Sequence, residues 1–475
     1  MVIPFKILKN QTYKQELLFM EILGSKYLIR EDLKAYAKML YVQGYDVDVN
    51  KVCEELDALP YSYDAFLAYG EKLLDLPVRA DFGYSEPFSL EDIQNQRPDN
   101  RHDVITPTQK ELALRPVTLK DKVYGGVYGR IIGCILGKPF EMGWTADNVK
   151  GYLEAVGQYP LDNYAPMYSP YSNLGFDTEM SRREYLKFAQ ADDDTSYFAV
   201  ALRVLENYGR NFATQDVAKE WLDNFPYSVT FGPSHINYRK LVNAKVWHDA
   251  PLPTGKEWEH FLTFANTGEE QIDAMIRADS YGLACPMRPA EAAALAYKDA
   301  ILTNRHTGLY ASMWVAGCIA AAYYYRDPVT VIQCGLEQLP ANSRYAEVIR
   351  IALDISASTD TWEQAYPEIN RRWGHLGHAG TMNETAGIIN SLVHAKDRIG
   401  CVDFEKAICT TVMHGWDTDC AAATCGCIAG VMAGYSGIDS KWLEPLHDTF
   451  YTYASLENDH RISAFADRIV EITKR

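Results

Sequence analysis

Three consecutive aspartates, Asp192, Asp193 and Asp194, stand before Thr195, and far along the chain Asp417, Thr418, Asp419 and Cys420 form a second acidic run. Each run opens a helix-like stretch of small and apolar residues, SYFAVALRVL after the first and AAATCGCIAGVMAG after the second. Carboxylates crowded beside a packed core repel one another and call for a compensating cation. Hard oxygen donors of this kind suit magnesium, manganese or calcium. The competing reading is two helix N-termini dressed with aspartate, which capping and the helix dipole both favour. Two such runs heading two core-like helices favour a shared metal site. Neighbouring residues on a helix point about 100° apart, so the first run converges only at an irregular first turn. The i, i+2 spacing of Asp417 and Asp419 places both on one side of a cap-like turn. Five carboxylates of this kind hold two divalent ions roughly 3.5 to 4 Å apart, with positions open for substrate hydroxyls and a water nucleophile.

A second pattern is GGVYGRIIGCILGKPFE, in which Gly125, Gly129, Gly133 and Gly137 recur every fourth residue. On a helix they form a stripe without side chains, along which another backbone can approach closely. A phosphate loop is excluded, because the glycine spacing before Lys138 is one residue short and Pro139 stands where Ser or Thr is required. Pro139 should break the helix and present Glu141 on the next turn. Taken alone, Glu141 reads as a surface carboxylate. A third stretch, from Ile272 to Gly308, mixes Arg277, Asp279, Asn304, Arg305 and His306 with small residues, and a lone histidine there is more often structural than catalytic. The tyrosine-rich loop GQYPLDNYAPMYSPYSNLGF offers flat faces for stacking on a ring, or a cover for the core.

The elements that must position these residues are helical. In REDLKAYAKMLYVQG, Leu33, Tyr36, Ala37 and Leu40 fall on one face and Gly44 ends the run. Residues 85–118 are polar and carry four prolines, the mark of a linker or a strap across the surface. This places a boundary near residue 115, between an N-terminal helical region (1–115) and a larger domain (116–475). FATQDVAKEWLDNF is expected to be a helix capped by Thr214. Segments 310–325 and 420–434 lack a polar face and belong at the centre of a bundle. The expected class is all-α.

At 475 residues, with 47% hydrophobic and 23% charged residues, the composition is that of a globular protein with a large core. A formal net charge of −17 argues against a nucleic-acid-binding surface. The N-terminus lacks the layout of a signal peptide, and no uncharged apolar run reaches the roughly 18 to 20 residues of a membrane helix. A cytoplasmic protein with no membrane contact is expected, its ten cysteines buried free thiols in a reducing compartment.

In order along the chain, GGVYGRIIGCILGKPFE, DDDT, AMIRADSYG with NRHTG, and WDTDC resemble the motifs of the ADP-ribosylglycohydrolase family, over about residues 120 to 450. The resemblance implies an orthogonally packed all-helical bundle with two Mg2+ or Mn2+ ions at its centre. It implies Asp193, Asp194, Asp417 and Asp419 as metal ligands, joined by Asp192 where most members carry threonine. Glu141 matches a glutamate near the scissile bond, so Glu141, Asp193 and Asp194 are the expected catalytic residues. Asn304, His306, Arg277 and Asp279 are the expected substrate contacts. The activity implied is hydrolysis of a ribosyl N- or O-glycosidic bond, in an ADP-ribosylated protein or a smaller ribosyl or nucleoside-like compound. Cys420 stands where the family run ends in threonine, and RADSYG departs from the central pattern. These departures mark a divergent subfamily and favour the alternative, a non-catalytic binding or structural protein on the same scaffold. The N-terminal region is expected to cap the site or to form a dimer surface.

Overall fold

Helical periodicity is realised throughout the computed structural model, which describes residues 28–108, 118–141, 143–167, 179–242, 252, 254–397, 400–455 and 457–475. Among these residues β-structure is confined to isolated bridges, so the class is all-α. No described helix is long and apolar enough to cross a membrane. The ten cysteines are all unpaired thiols, eight of them buried. Contacts divide the chain into two compact units, Met1–Gly83 with Pro233–Gly268, and Tyr84–Gly232 with Glu269–Arg475. This division follows packing, whereas the boundary near 115 follows composition.

The first unit is built on α1 (Arg30–Val42), α2 (Val49–Ala58) and α3 (Tyr63–Leu74). The buried face of α1 is Leu33, Tyr36, Ala37 and Leu40, as the periodicity predicts. These residues share a core with Leu56, Phe66 and Leu73, and Ala265 from the later segment joins it. Asp48 and Ser62 cap α2 and α3 through the amides of Lys51 and Ala65. After α1 the chain turns at Gly44, where φ is +88° and a Cβ would strike the Phe82 ring.

The second unit opens with the proline-punctuated strap. Its Tyr84 hydroxyl donates to Glu347 at 2.6 Å, Arg344 binds Glu86 through Nε and Nη2, and Arg97 reaches Gln338 at 2.7 Å. These bonds hold the strap against residues 337–347. Residues 109–117 lie outside the described structure.

Beyond the strap run α4 (Leu119–Gly137), α5 (Asp193–Tyr208), α6 (His306–Ala322), α7 (Thr381–His394), α8 (Phe404–Met413) and α9 (Thr418–Ala433). Every residue of α6 is buried, and all but the last of α9, which is where their lack of a polar face puts them. The glycine stripe of α4 is the contact surface for α9. A Cβ on Gly125, Gly129, Gly133 or Gly137 would overlap the carbonyl oxygen of Gly430, Gly426, Ala422 or Thr418 respectively. Four residues forward on α4 therefore match four residues back on α9, so the two helices run antiparallel in close backbone contact. This register brings the end of α4, with Lys138 and Glu141 beyond it, against the start of α9, with Asp417 and Asp419. The Thr418 hydroxyl locks the pairing by donating to the Gly137 carbonyl at 2.9 Å.

The expected cap at Thr214 is displaced by one residue. Ala213 takes the cap position, and Asp216 accepts its amide at 2.8 Å. Thr214 is the first helical residue, and its hydroxyl donates instead to the Lys298 carbonyl.

Between α8 and α9 lies His414, buried beside Trp362, Tyr366 and Trp416. Its Nδ1 lies 2.7 Å from the Thr410 carbonyl and its Nε2 2.9 Å from Asn390 Nδ2, which assigns a neutral ring protonated on Nδ1. Burial pushes its pKa down from 6.5 to about 4. The folded state excludes a proton that the unfolded chain binds below pH 6.5, so this contribution is whole above pH 6.5 and is lost as pH falls toward 4. Against a His414→Gln variant, the wild type should lose roughly 3 kcal/mol of relative stability across that window. Thermal or urea unfolding of both proteins at pH 7.5 and 4.5 measures it, and an unchanged difference would rule the effect out.

Candidate metal centre

Each acidic run is delivered by a helix start. Asp192 caps α5, its Oδ1 accepting the Asp194 amide at 2.9 Å while Thr195 Oγ1 accepts the Asp192 amide. The first run is thus both a cap and part of a cluster. The second run behaves differently. Asp417 occupies the cap position of α9, yet its side chain makes no capping bond. It is placed by a strained turn in which Gly415 and Trp416 have φ of +74° and +67°. The Asp417 amide donates to Glu384 on α7. Its Oδ1, like Asp419 Oδ1, is buried without a hydrogen-bond partner among the described residues.

Helix α4 ends at Gly137, a 3-10 turn over Lys138–Phe140 carries Pro139, and Glu141 follows in extended conformation. Ligating atoms of Glu141, Asp417 and Asp419 lie within 4.8 Å of one another, as do those of Asp192, Asp193 and Asp194. Asp194, Asp419 and Cys420 form a third such group, and Cys134, Asp192 and Asp419 a fourth. The structure therefore gathers all five aspartates and Glu141 into one patch.

Two cations enter the patch, Arg130 from α4 and Lys138 from the turn that follows it. The guanidinium of Arg130, fully buried, binds Asp194 Oδ1 at 2.9 Å and Asp279 Oδ2 at 3.0 Å, and donates to the Ile276 carbonyl at 2.6 Å. Lys138 Nζ pairs with Asp192 Oδ2, with Glu141 Oε2 at 2.8 Å and with Asp419 Oδ2 at 3.4 Å. Burial pushes the Glu141 carboxyl up to about 9 and Asp194 up to about 7, and neighbouring carboxylates add to both. Burial, then Asp419 and Glu384, raises Asp417 as well. Burial also acts on Asp192, but the Lys138 ammonium outweighs it and holds that carboxyl low.

The donor set fits a divalent ion. Hard oxygens from separate segments converge, and two buried carboxylate oxygens find no donor among the described residues. Two thiols, Cys134 and Cys420, stand among the donors, and that of Cys420 donates to Asp194 Oδ2 at 3.0 Å. Sulfur is a poor partner for magnesium. Replacing Cys420 with threonine should tighten Mg2+ binding by about tenfold, roughly 1.4 kcal/mol, as read by calorimetry. Equal or weaker binding would show that position 420 contributes no ligand.

A cleft of about 440 Å³ opens on this patch, lined by Lys138, Glu141, Asp192, Asp193, Phe231 and Tyr453 among others. The four expected substrate contacts lie elsewhere. Arg277 is buried against Asp299, Thr303 and the Asp273 carbonyl. Asp279 serves Arg130. Asn304 donates to the Gln271 carbonyl, and His306, which starts α6 with φ of +48°, has Nδ1 3.6 Å from the Glu86 carboxylate. None of the four lines the cleft. Of the tyrosine-rich loop, residues 168–176 lie outside the described structure, and Tyr164 is buried with its hydroxyl on the Trp442 carbonyl.

Sequence reasoning passed over Arg130, Lys138, Glu384, Phe231 and Tyr453. A signal existed for the first two, as basic residues in an otherwise apolar, glycine-striped helix. Glu384, Phe231 and Tyr453 come from segments with no motif around them.

The model of one family, described as ADP-ribosylglycohydrolase, matches residues 115–475. Among solved structures, one described as an ADP-ribosylglycohydrolase-related protein complex is similar at 17% identity, with 75% of this chain and 99% of that chain covered and a TM-score of 0.45. No curated protein matches the chain. The family match spans the glycine-striped helix, both acidic runs and the cleft between them, and the chain therefore belongs to the ADP-ribosylglycohydrolase family.

Proposed function

We propose that this chain is a divalent-metal-dependent glycoside hydrolase that cleaves a ribosyl N- or O-glycosidic bond, in an ADP-ribosyl conjugate or a smaller ribosyl compound. The observation that carries the reading is the patch of six carboxylates from three segments, with Asp417 Oδ1 and Asp419 Oδ1 buried and lacking donors. Carboxylates held this way are costly unless a cation joins them.

Asp193, Asp194, Asp417 and Asp419 would hold the metal, with Mg2+ or Mn2+ the ions their oxygens suit. When bound, such an ion supplies Lewis acidity toward ribose hydroxyls and water. Glu141, whose carboxyl titrates near 9, carries a proton at neutral pH and is placed at the cleft to give it to the departing group. Burial, then Asp192 and Asp194, raises the Asp193 carboxyl, so Asp193, at the cleft, would accept the proton of the attacking water once a bound ion has displaced its own. Departure through an oxocarbenium-like state leaves positive charge on the sugar, which the surrounding carboxylates stabilise. Phe231 and Tyr453 offer aromatic faces to the leaving group.

The competing reading, a binding protein without turnover, draws on Cys420 in place of an oxygen donor. A panel of ADP-ribosylated peptides, ADP-ribose derivatives and nucleosides, incubated with the Mg2+- or Mn2+-loaded protein, separates them. Ribosyl release that stops with chelator supports hydrolysis. Metal and ribosyl-ligand binding without release on any substrate supports the binding role, and absence of metal binding below millimolar sinks the metal site and the hydrolase reading.

A further inference from the structure

We infer that Lys138 is a built-in cation standing in one of the two ion positions, so that the centre takes a single divalent ion on its Asp417–Asp419 side. The inference rests on the metal-dependent reading of the carboxylate patch. The ammonium meets three carboxylates from three segments: Glu141 just beyond α4, Asp192 at the start of α5 and Asp419 at the start of α9. An ammonium has three N–H donors and no acceptor, so these three contacts saturate it. That is the arrangement a coordination centre would have, filled from within the chain.

The remaining oxygens support one further position. Asp192 has none left, because Oδ1 accepts the Asp194 amide and Oδ2 pairs with Lys138. Asp194 gives Oδ1 to Arg130, while its Oδ2 accepts only the weak Cys420 thiol and so stays able to turn to an ion on the Asp419 side. Of the buried oxygens of Asp192, Asp194, Asp417 and Asp419, Asp417 Oδ1 and Asp419 Oδ1 have no donor and no ion pair among the described residues and face each other's carboxyl, while Asp193 lies at the cleft. A divalent ion brought onto the Lys138 locus would lie within a few ångströms of the ammonium, and like charges at that separation in a buried site exclude each other. The side chain is 15% exposed and rooted in the turn that follows the tight Gly137 contact. It therefore holds its place through the backbone as well as through its charge.

The experiment counts ions on the full chain. Metal-stripped protein is titrated with Mn2+, and bound ions are counted by calorimetry and by the electron paramagnetic resonance of free and bound Mn2+. The wild type should bind one Mn2+ per chain with the spectrum of an isolated ion. Lys138→Met, which keeps the stem and removes the charge, should bind two and show exchange coupling between them. Two ions in the wild type, or one in a folded Lys138→Met, overturns the inference. Should the variant fail to fold, the wild-type count and spectrum decide alone. A wild type that binds two ions and hydrolyses a ribosyl substrate defeats this inference and leaves the proposed function standing. A wild type that binds none defeats both.

Discussion

Replacing Asp419 with asparagine should abolish divalent-metal binding, by about 100-fold or more in affinity, and lower any ribosyl release by roughly 10³-fold. Asp419 is the residue common to three of the four carboxylate and thiol groupings, and its Oδ1 is one of the two buried oxygens without a donor. Asparagine keeps the shape and removes the charge, so the fold should survive. Removing one of several crowded carboxylates relieves repulsion, and the metal-free variant should be at least as stable as the metal-free parent. The same logic sets the pH dependence. Asp194 near 7, Glu141 near 9 and the raised Asp417 hold protons in the folded, metal-free protein that the unfolded chain has released. Metal-free stability is therefore highest at low pH from these groups, and declines as pH rises through the unfolded carboxyl range toward 7 and above. A bound ion must displace the protons of its ligands Asp194 and Asp417, while Glu141 keeps its own, so metal-induced stabilisation should grow from pH 5.5 to 8.5. Calorimetry and thermal shift with Mg2+ and Mn2+ on both proteins test this. Wild-type-like binding in Asp419→Asn would remove the patch as the metal site.

Gly133→Ala is the second large effect, and it acts through the fold. A single methyl there meets the Ala422 carbonyl and the next amide of α9, backbone atoms that cannot rotate away. Ordinary overpacking costs about 1–3 kcal/mol. Here the two helices must separate, and the loss should reach or exceed the top of that range, a fall of several degrees in Tm. Because the same contact sets the register of Glu141 against Asp417 and Asp419, metal affinity should fall with stability. The two variants thus part company: Asp419→Asn loses metal and keeps its Tm, while Gly133→Ala loses both. A Gly133→Ala protein that unfolds with the parent would show that α4 and α9 are not in backbone contact.

The resemblance to a hydrolase family names residues better than it places them. The resemblance implies substrate contacts at Arg277, Asp279, Asn304 and His306. Folding instead spends Arg277 on Asp299 and Asp279 on Arg130, since a buried charge must find an opposite one before it can serve a ligand. The extra charge of Asp192 is handled in the same way. Its Oδ2 is paired with Lys138.

The sequence by itself determined the helical class, the four-residue glycine stripe, the unbroken apolar character of α6 and α9, and the two carboxylate runs at helix starts. All of these are periodic or local properties, set by which side chains lie within a turn of each other. What it left undetermined is which face meets which. Only the tertiary structure decided that α4 lies antiparallel on α9 in the register that joins Lys138 and Glu141 to Asp417 and Asp419. Only the structure distinguished Asp192, a true cap, from Asp417, which stands at a cap position with its carboxylate free of capping. The physical reason is that an aspartate before a helix satisfies the same local rule in either role. The choice between cap and ligand depends on a strained turn at Trp416 and on charges that arrive from distant segments.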